Sequence, residues 1–195
     1  MEEIKDECGV FGIYNNEEAA KITYLGLYAL QHRGQESCGI ASSDMNSLYF
    51  HKSLGLVSDV FKENTLLQLK GKNAIGHVRY STAGETLLKN AQPLVADYYS
   101  GSIAVAHNGN ITNAHIIKDE IEENGSIFSS TSDTEVVIHL TALSKENLLI
   151  DRIVSSLKKL KGAYSLLFLS EKEMIAARDP FGFRPLVKSF LRINI

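Results

Sequence analysis

Short stretches of apolar, β-branched or alternating residues recur along the chain, and such stretches are typical of β-strands. Seven of them are long enough to predict a strand. The predicted strands cover residues 10–14, 39–43, 48–51, 74–80, 102–106, 163–169 and 174–177.

Four other segments have the three- and four-residue spacing of apolar positions that is typical of an amphipathic helix. They are residues 18–30, residues 113–123 with Ile116, Ile117 and Ile121, a segment with Val136, Leu140 and Leu143, and a segment with Ile153, Leu157 and Leu160. Ser132 and Glu135 have the Ser-x-x-Glu spacing of a capping box, so the third helix is predicted to begin there.

The predicted strands come in adjacent groups, and the helices also come in pairs. This order favours antiparallel sheets covered by helices over a regular strand–helix alternation. No Pro/Gly/Ser-rich linker, low-complexity tract or repeat divides the 195 residues, so we expect a single α+β domain.

Composition excludes several classes of protein. Hydrophobic residues make up 44% and charged residues 22%, as in an ordinary globular domain, and the formal net charge is −3. A nucleic-acid-binding domain would be basic, and a membrane span needs far more consecutive apolar residues than residues 166–169 supply. We therefore expect no nucleic-acid partner and no membrane, and the acidic residues 1–7, which do not resemble a signal peptide, predict a cytoplasmic protein.

The familiar nucleotide-binding and zinc-binding motifs are absent, and the six histidines have no ligand spacing, so no metal site is predicted. Cys38 begins an apolar strand and is interpreted as a buried apolar residue. Cys8 has two interpretations. It is either a small apolar residue at the start of a strand, or it becomes the N-terminal residue after removal of residues 1–7, with its own α-amino group as the base for its thiol.

Six segments bear on this choice through their order and separation. They are residues 8–13 (CGVFGI), 24–37 (YLGLYALQHRGQES), 76–82 (GHVRYST), 107–110 (HNGN), 132–135 (SDTE) and 178–186 (RDPFGFRPL). Together they resemble the glutaminase domain of the amidophosphoribosyltransferase family, which belongs to the class II glutamine amidotransferases. The resemblance extends over residues 8–186 and favours the N-terminal nucleophile.

The resemblance implies a four-layer αββα fold of the N-terminal nucleophile hydrolase type, with two antiparallel sheets between helical layers. It also implies that residues 1–7 are a propeptide and that Cys8 attacks the side-chain amide of glutamine. Asn108 and Gly109 would form the oxyanion hole, although an Asn-Gly pair after a strand is also an ordinary signal for a tight turn.

The resemblance further assigns the two ends of the glutamine substrate. Arg79 would bind the α-carboxylate, with Tyr80 and Thr82 as neighbours, although an arginine at a strand end can also be a plain surface residue. Asp133 would bind the α-ammonium group, although its charge also complements the dipole of the third helix. Arg33 is expected to support the surroundings of the nucleophile, and residues 81–91 would be either a closing lid or an ordinary loop.

The family's phosphoribosyltransferase domain has no counterpart in this sequence. Mg²⁺, and the iron–sulfur cluster of some members, would belong to that domain, so no cofactor is expected in this chain. Residues 187–195 are interpreted as an atypical tail. The resemblance also implies that the full-length enzyme is a homo-oligomer and that its ammonia is transferred to phosphoribosylpyrophosphate in the first committed step of purine biosynthesis.

Two other functions are compatible with the sequence. The chain could be a glutamine-binding module without activity, in which case residues 1–7 would stay attached. It could instead be a fragment whose role is association with a partner chain that carries the missing domain.

Overall fold

The computed structural model describes residues 8–80 and 87–190. Its first antiparallel sheet has four strands in the order β1–β4–β2–β3. These are β1 (Gly9–Ile13), β2 (Ser37–Ser43), β3 (Leu48–Leu54) and β4 (Asn73–Arg79). Because β2 and β4 lie in the centre of this sheet, they are buried along nearly their whole length.

The second antiparallel sheet has the order β5–β6–β7–β8. Its strands are β5 (Leu94–Tyr98), β6 (Gly101–Ile111), β7 (Gly162–Ser170) and β8 (Met174–Arg178). The helices of the described residues are α1 (Ala19–Ala29), α2 (Val57–Val60), α3 (Glu63–Gln68), α4 (Ala114–Glu123), α5 (Thr134–Leu143) and α6 (Leu149–Leu157).

Because successive side chains of a strand point to opposite faces of its sheet, the core is divided into three layers. Small and branched side chains between the two sheets form the inner layer: Ala41, Ile75, Ala104, Ala106, Leu167 and Leu169. On the outer face of the first sheet, Val78 and Ile40 pack with Leu27 of α1. On the outer face of the second sheet, the core contains Val136 of α5 and Ile153 of α6. The expected αββα architecture is therefore confirmed.

All seven predicted strands and all four predicted helices are present, with ends that differ by a few residues. The sequence pattern missed β5 and the short helices α2 and α3. It also ended β6 too early, because this strand continues to Ile111.

The predicted capping box at the start of α5 is wrong. The helix begins at Thr134, and the carboxylate of Glu135 turns away from Ser132. Its Oε1 accepts hydrogen bonds from the backbone N–H and hydroxyl of Ser129, and its Oε2 accepts the same pair from Ser130. Glu135 therefore fixes the loop before the helix, and the backbone N–H of Thr134 donates to the Ser132 hydroxyl at 3.3 Å.

Candidate active site

Cys8 lies beside the C-terminal end of β4. It directly precedes Gly9, whose strand partner is Val78, so the start of β1 faces the residues that end β4. The Cys8 thiol donates to the carbonyl oxygen of Tyr80 at 3.7 Å. The φ angle of Cys8 is +57°, a left-handed conformation that non-glycine residues seldom adopt and that concentrates at functional sites.

Arg33 holds the backbone of Cys8 in place. It ends a 3₁₀ turn, Gln31–Arg33, and its Nε donates to the carbonyl oxygen of Cys8 at 2.8 Å. The next residue, Gly34, packs against the backbone of Arg79 so closely that a Cβ atom would lie 2.7 Å from its N and C atoms. Glycine is required at that position, and it brings the Arg33 turn against the end of β4.

Arg79 supplies a cation at the mouth of the space between the sheets. Along β4, Ile75 lies in the inner layer, so alternation directs His77 and Arg79 toward the second sheet as well. The Nη1 atom of Arg79 is shielded from solvent and has no hydrogen-bond partner among residues 8–80 and 87–190. A guanidinium is always charged, so this arrangement is suited to a bound carboxylate.

His77 connects the two sheets through a hydrogen bond of 2.9 Å between its Nε2 and the carbonyl oxygen of His107. A carbonyl oxygen can only accept, so Nε2 carries the proton. Burial lowers the pKa of His77 to about 3, and the ring is therefore neutral at physiological pH. Spacing along the sequence gave no indication of this pair, because the contact joins two strands of different sheets.

Asn108 and Gly109 lie within β6, so the structure excludes the tight turn that the Asn-Gly pair can indicate. Alternation from Ala104 and Ala106 directs Asn108 toward the first sheet, the side on which Arg79 lies. The Asn108 Oδ1 is buried without a hydrogen-bond partner in the described part of the chain. Gly109 has a φ of +149°, and a Cβ atom there would lie 2.0 Å from the Ala163 carbonyl oxygen, so only glycine fits.

Asp133 lies at the N-terminal end of α5, one residue before the helix starts, with 27% of its side chain exposed. Its Oδ2 accepts the backbone N–H of Ile111 at 2.9 Å, and its Oδ1 lies 3.5 Å from the Nδ1 of His107. Burial by itself would raise the pKa of Asp133, but the hydrogen bonds from His107, Ile111 and Thr134 outweigh it and lower the pKa. The carboxylate is therefore ionised and suited to an ammonium group.

Two predicted features fall wholly or partly outside the described residues. Thr82 and most of the segment predicted as a lid lie in residues 81–86, which the structure does not describe. The end of that segment is fixed, because Asn90 exchanges two hydrogen bonds with Thr131, from its Nδ2 to Oγ1 at 2.8 Å and from the Thr131 N–H to its Oδ1 at 3.0 Å.

Cys38 is fully buried, as predicted, and burial raises the pKa of its thiol to about 12, with a smaller contribution from Asp59. Within the described ranges, no group of three or more His, Cys, Asp or Glu side chains is arranged to hold a metal ion. None of the helices formed by these residues is long and apolar enough to cross a membrane.

The arrangement thus brings a thiol, a cation, an anion and a backbone N–H to one end of the two sheets. Cys8 contacts Tyr80 beside Arg79, His77 joins this strand to His107, and His107 is followed by Asn108 and Gly109. A cation and an anion at the same end of the sheets as a thiol are suited to a zwitterionic substrate.

Comparison with known proteins agrees with this chemistry. Residues 77–192 match the family model of the glutamine amidotransferase domain. Amidophosphoribosyltransferase 1, chloroplastic, from Arabidopsis thaliana is 55% identical over 187 residues, which are 95% of this chain and 33% of that enzyme. Amidophosphoribosyltransferase from Bacillus subtilis is 52% identical over 184 residues, 94% of this chain and 39% of that enzyme.

Solved structures give the same result. The structure of "the allosteric regulatory enzyme of purine biosynthesis" superposes with a TM-score of 0.87 at 52% identity, over 90% of this chain and 38% of that one. Glutamine phosphoribosylpyrophosphate amidotransferase from B. subtilis, complexed with ADP and GMP, gives 0.85 at 51% identity, over the same shares. This chain spans between a third and two fifths of the length of these relatives. It belongs to the glutamine amidotransferase domain family.

Proposed function

We propose that this chain hydrolyses the side-chain amide of glutamine, with Cys8 as the nucleophile. The observation that carries the proposal is the position of Cys8. Its thiol lies against the residue that follows Arg79, at the same end of the sheets as Asn108 and Asp133. The membership of the chain in the glutamine amidotransferase domain family supports this assignment.

In the proposed reaction, residues 1–7 are removed and the new α-amino group of Cys8 acts as general base. An α-amino group has an intrinsic pKa of about 7.7–8.0, close to neutral, and it accepts the thiol proton as sulfur attacks the amide carbon. The same proton passes to the departing nitrogen, and ammonia leaves a glutamyl thioester. Water then attacks the thioester, which gives glutamate and restores the thiol.

The other residues bind the substrate and stabilise the transition state. Arg79 binds the α-carboxylate of glutamine, and Asp133 binds its α-ammonium group. The side-chain amide of Asn108 and the backbone N–H of Gly109 stabilise the oxyanion, and loss of one such donor costs roughly 10²–10³ in rate.

Arg33 keeps its supporting role in the proposal, since its Nε holds the Cys8 carbonyl. Tyr80, whose carbonyl oxygen accepts from the Cys8 thiol, and Thr82, which lies outside the described residues, keep their proposed roles as neighbours of the bound carboxylate.

The destination of the ammonia is part of the proposal as well. The relatives are named amidophosphoribosyltransferases, and this chain spans only a part of them. We infer that the ammonia serves phosphoribosylamine formation on a phosphoribosyltransferase domain, which would carry the Mg²⁺ and any iron–sulfur cluster. We infer that the complete enzyme is a homo-oligomer in the cytoplasm. Some relatives are instead named as chloroplastic enzymes.

The test is ammonia release from glutamine by a chain that begins at Cys8, compared with Cys8→Ala and Cys38→Ala variants. We expect Cys8→Ala to abolish release, and Cys38→Ala to keep it, because the Cys38 thiol is buried and protonated. Equal rates for wild type and Cys8→Ala would refute the proposal. Glutamine binding without turnover in the wild type would instead indicate a non-catalytic binding module.

A further inference from the structure

We propose that Thr134 is a positioning residue, whose buried hydroxyl orients the carboxylate of Asp133 toward the α-ammonium group of the substrate. This inference rests on the role proposed above for Asp133. It concerns a residue that the helix pattern alone presents as an ordinary first residue of α5.

The Thr134 hydroxyl is completely buried and lies among three polar side chains. Its oxygen is 3.0 Å from the Nδ1 of His107, 3.1 Å from the Nε2 of Gln92 and 3.4 Å from the Oδ1 of Asp133. A threonine that served only to begin the helix would need none of these contacts.

The number of protons in this cluster fixes the direction of each hydrogen bond. The amide nitrogen of Gln92 can only donate, so it uses one lone pair of the Thr134 oxygen. The Nε2 of His107 is buried with no hydrogen-bond partner in the described part of the chain, so the ring proton is placed on Nδ1, which donates to the second lone pair of the Thr134 oxygen. With both lone pairs of Thr134 engaged, its hydroxyl proton is directed to the Oδ1 of Asp133, since an ionised carboxylate can only accept.

The orientation of Gln92 is fixed independently of this argument. Its Oε1 accepts the backbone N–H of His107 at 2.8 Å, so its NH₂ group must be the end that faces Thr134. The same hydrogen bond fixes the backbone of His107, the residue immediately before Asn108. Gln92 is therefore anchored to the backbone of β6 by a bond that does not involve Thr134.

The consequence is a carboxylate that is oriented before substrate arrives. Oδ2 of Asp133 is held by the N–H of Ile111, and Oδ1 is held by the Thr134 hydroxyl, with the Nδ1 of His107 3.5 Å away. Because the carboxylate is already ordered, substrate binding does not have to pay for its immobilisation. Loss of the hydroxyl should therefore weaken the recognition of the ammonium group and leave the chemistry at Cys8 largely unchanged.

The experiment compares Thr134→Val, which keeps the shape and removes the hydroxyl, with Thr134→Ser, which keeps the hydroxyl. Thr141→Val is the matched control. Thr141 is equally buried in the same helix, but its hydroxyl bonds the Val137 carbonyl at 2.8 Å and the Ser156 hydroxyl at 3.3 Å, on the side of α6. Each variant is assayed for ammonia release from glutamine and from glutarate monoamide, an analogue without the α-amino group.

We expect Thr134→Val to raise KM for glutamine about tenfold with kcat within about twofold, as loss of a hydrogen bond to a charged group predicts. Its kcat/KM for the analogue should equal that of wild type, because the analogue has no ammonium group. Thr134→Ser should restore KM, and Thr141→Val should leave it unchanged. If Thr134→Val does not fold, Thr134→Ala removes the same hydroxyl without placing a methyl group against His107 and Gln92.

Two outcomes overturn the inference: an unchanged KM for glutamine in the hydroxyl-free variant, or an equal loss with both substrates. Asp133→Asn separates this failure from failure of the proposed function. If Asp133→Asn lowers the preference for glutamine over the analogue and removal of the Thr134 hydroxyl does not, only the positioning role is wrong. If neither variant changes that preference, the ammonium-binding role of Asp133 is wrong as well.

Discussion

The Nε2 of His77 donates to the carbonyl oxygen of His107 across the space between the two sheets, at 2.9 Å. This bond joins the strand that ends in Arg79 to the strand that carries Asn108. The groups proposed to bind the substrate carboxylate and the oxyanion are therefore held at a fixed separation by a buried, neutral imidazole. Its neutrality has a consequence for stability.

We predict that His77 makes the protein sensitive to acid. Its pKa is near 6.5 in the unfolded chain and is lowered to about 3 in the folded protein, so only the unfolded state gains a proton between those values. The stabilisation is complete above pH 6.5, and it is lost as the pH falls, by about 1.4 kcal/mol for each pH unit. Urea unfolding at pH 7.5, 6 and 5 measures this loss.

The matched variant for this measurement is His77→Gln, since a glutamine Nε2 can also donate to the His107 carbonyl and does not titrate. We expect its free energy of unfolding to depend less on pH than that of wild type. Carboxylates with lowered pKa, such as Asp133, contribute equally to both proteins and cancel in the comparison. Parallel pH dependences would show that His77 is not the acid-sensitive group.

Gly109→Ala is predicted to abolish activity and to destabilise the sheet. The added Cβ would lie 2.0 Å from the Ala163 carbonyl oxygen and 2.8 Å from the Tyr164 Cα, so β6 and β7 would have to separate at the proposed oxyanion hole. Gly125→Ala is the control, because Gly125 also has a positive φ but nothing lies within 4 Å of its Cβ position. The temperature of thermal unfolding and the rate of ammonia release should both fall much further for Gly109→Ala than for Gly125→Ala. Equal effects of the two substitutions would mean that the close contact at Gly109 is unimportant.

Asp179 is predicted to hold the segment after β8. It is 3% exposed, and its carboxylate accepts the backbone N–H groups of Phe181, Phe183 and Arg184 at 3.0–3.1 Å. Burial would raise the pKa of Asp179, but these N–H donors outweigh it and lower the pKa. Asp179→Asn turns an NH₂ group toward these donors, so we expect a loss of about 1.5–3 kcal/mol in the free energy of unfolding.

Amide hydrogen exchange measures whether the destabilisation by Asp179→Asn lies in the segment after β8. The amides of Phe183 and Arg184 should exchange faster in Asp179→Asn, whereas Asp97→Asn, at an exposed aspartate that accepts one Ser102 hydroxyl at 2.6 Å, should leave their exchange unchanged. Unchanged exchange in Asp179→Asn would contradict the proposed role of its carboxylate.

Local pattern was sufficient for the long elements and insufficient for the short helices. The predicted strand β7 has nine residues and a continuous apolar run at 166–169, so its apolar character is clear. By contrast, α2 has four residues and α3 has six, fewer than two helical turns, and a helical period cannot be recognised over that length. β5 also has only five residues, but so do β1 and β8, which the pattern predicted, so its length alone does not explain why it was missed.

The site shows a similar division. The resemblance assigned roles to Cys8, Arg79, Asn108 and Asp133 from their motifs. These roles stay predictions, and the contacts of the described residues bring all four to one end of the sheets. The resemblance gave no role to His77, His107 or Thr134, although they belong to the same motifs. Their contacts depend on the register of the strands in two sheets and on the side-chain hydrogen bonds at the start of α5. The helix begins at Thr134, within the predicted residues 132–135, but the wrong prediction of a capping box shows that the side-chain hydrogen bonds there were not readable from the sequence.

The most direct test of the account is the intact mass of the protein after treatment with a diazoketone analogue of glutamine. The nucleophile displaces dinitrogen from this analogue and forms a stable thioether. We predict one adduct for the chain that begins at Cys8, mapped to Cys8, with the same result for Cys38→Ala and none for Cys8→Ala. An adduct on Cys38, or equal labelling of Cys8 when residues 1–7 remain attached, would contradict Cys8 as a nucleophile activated by its own α-amino group.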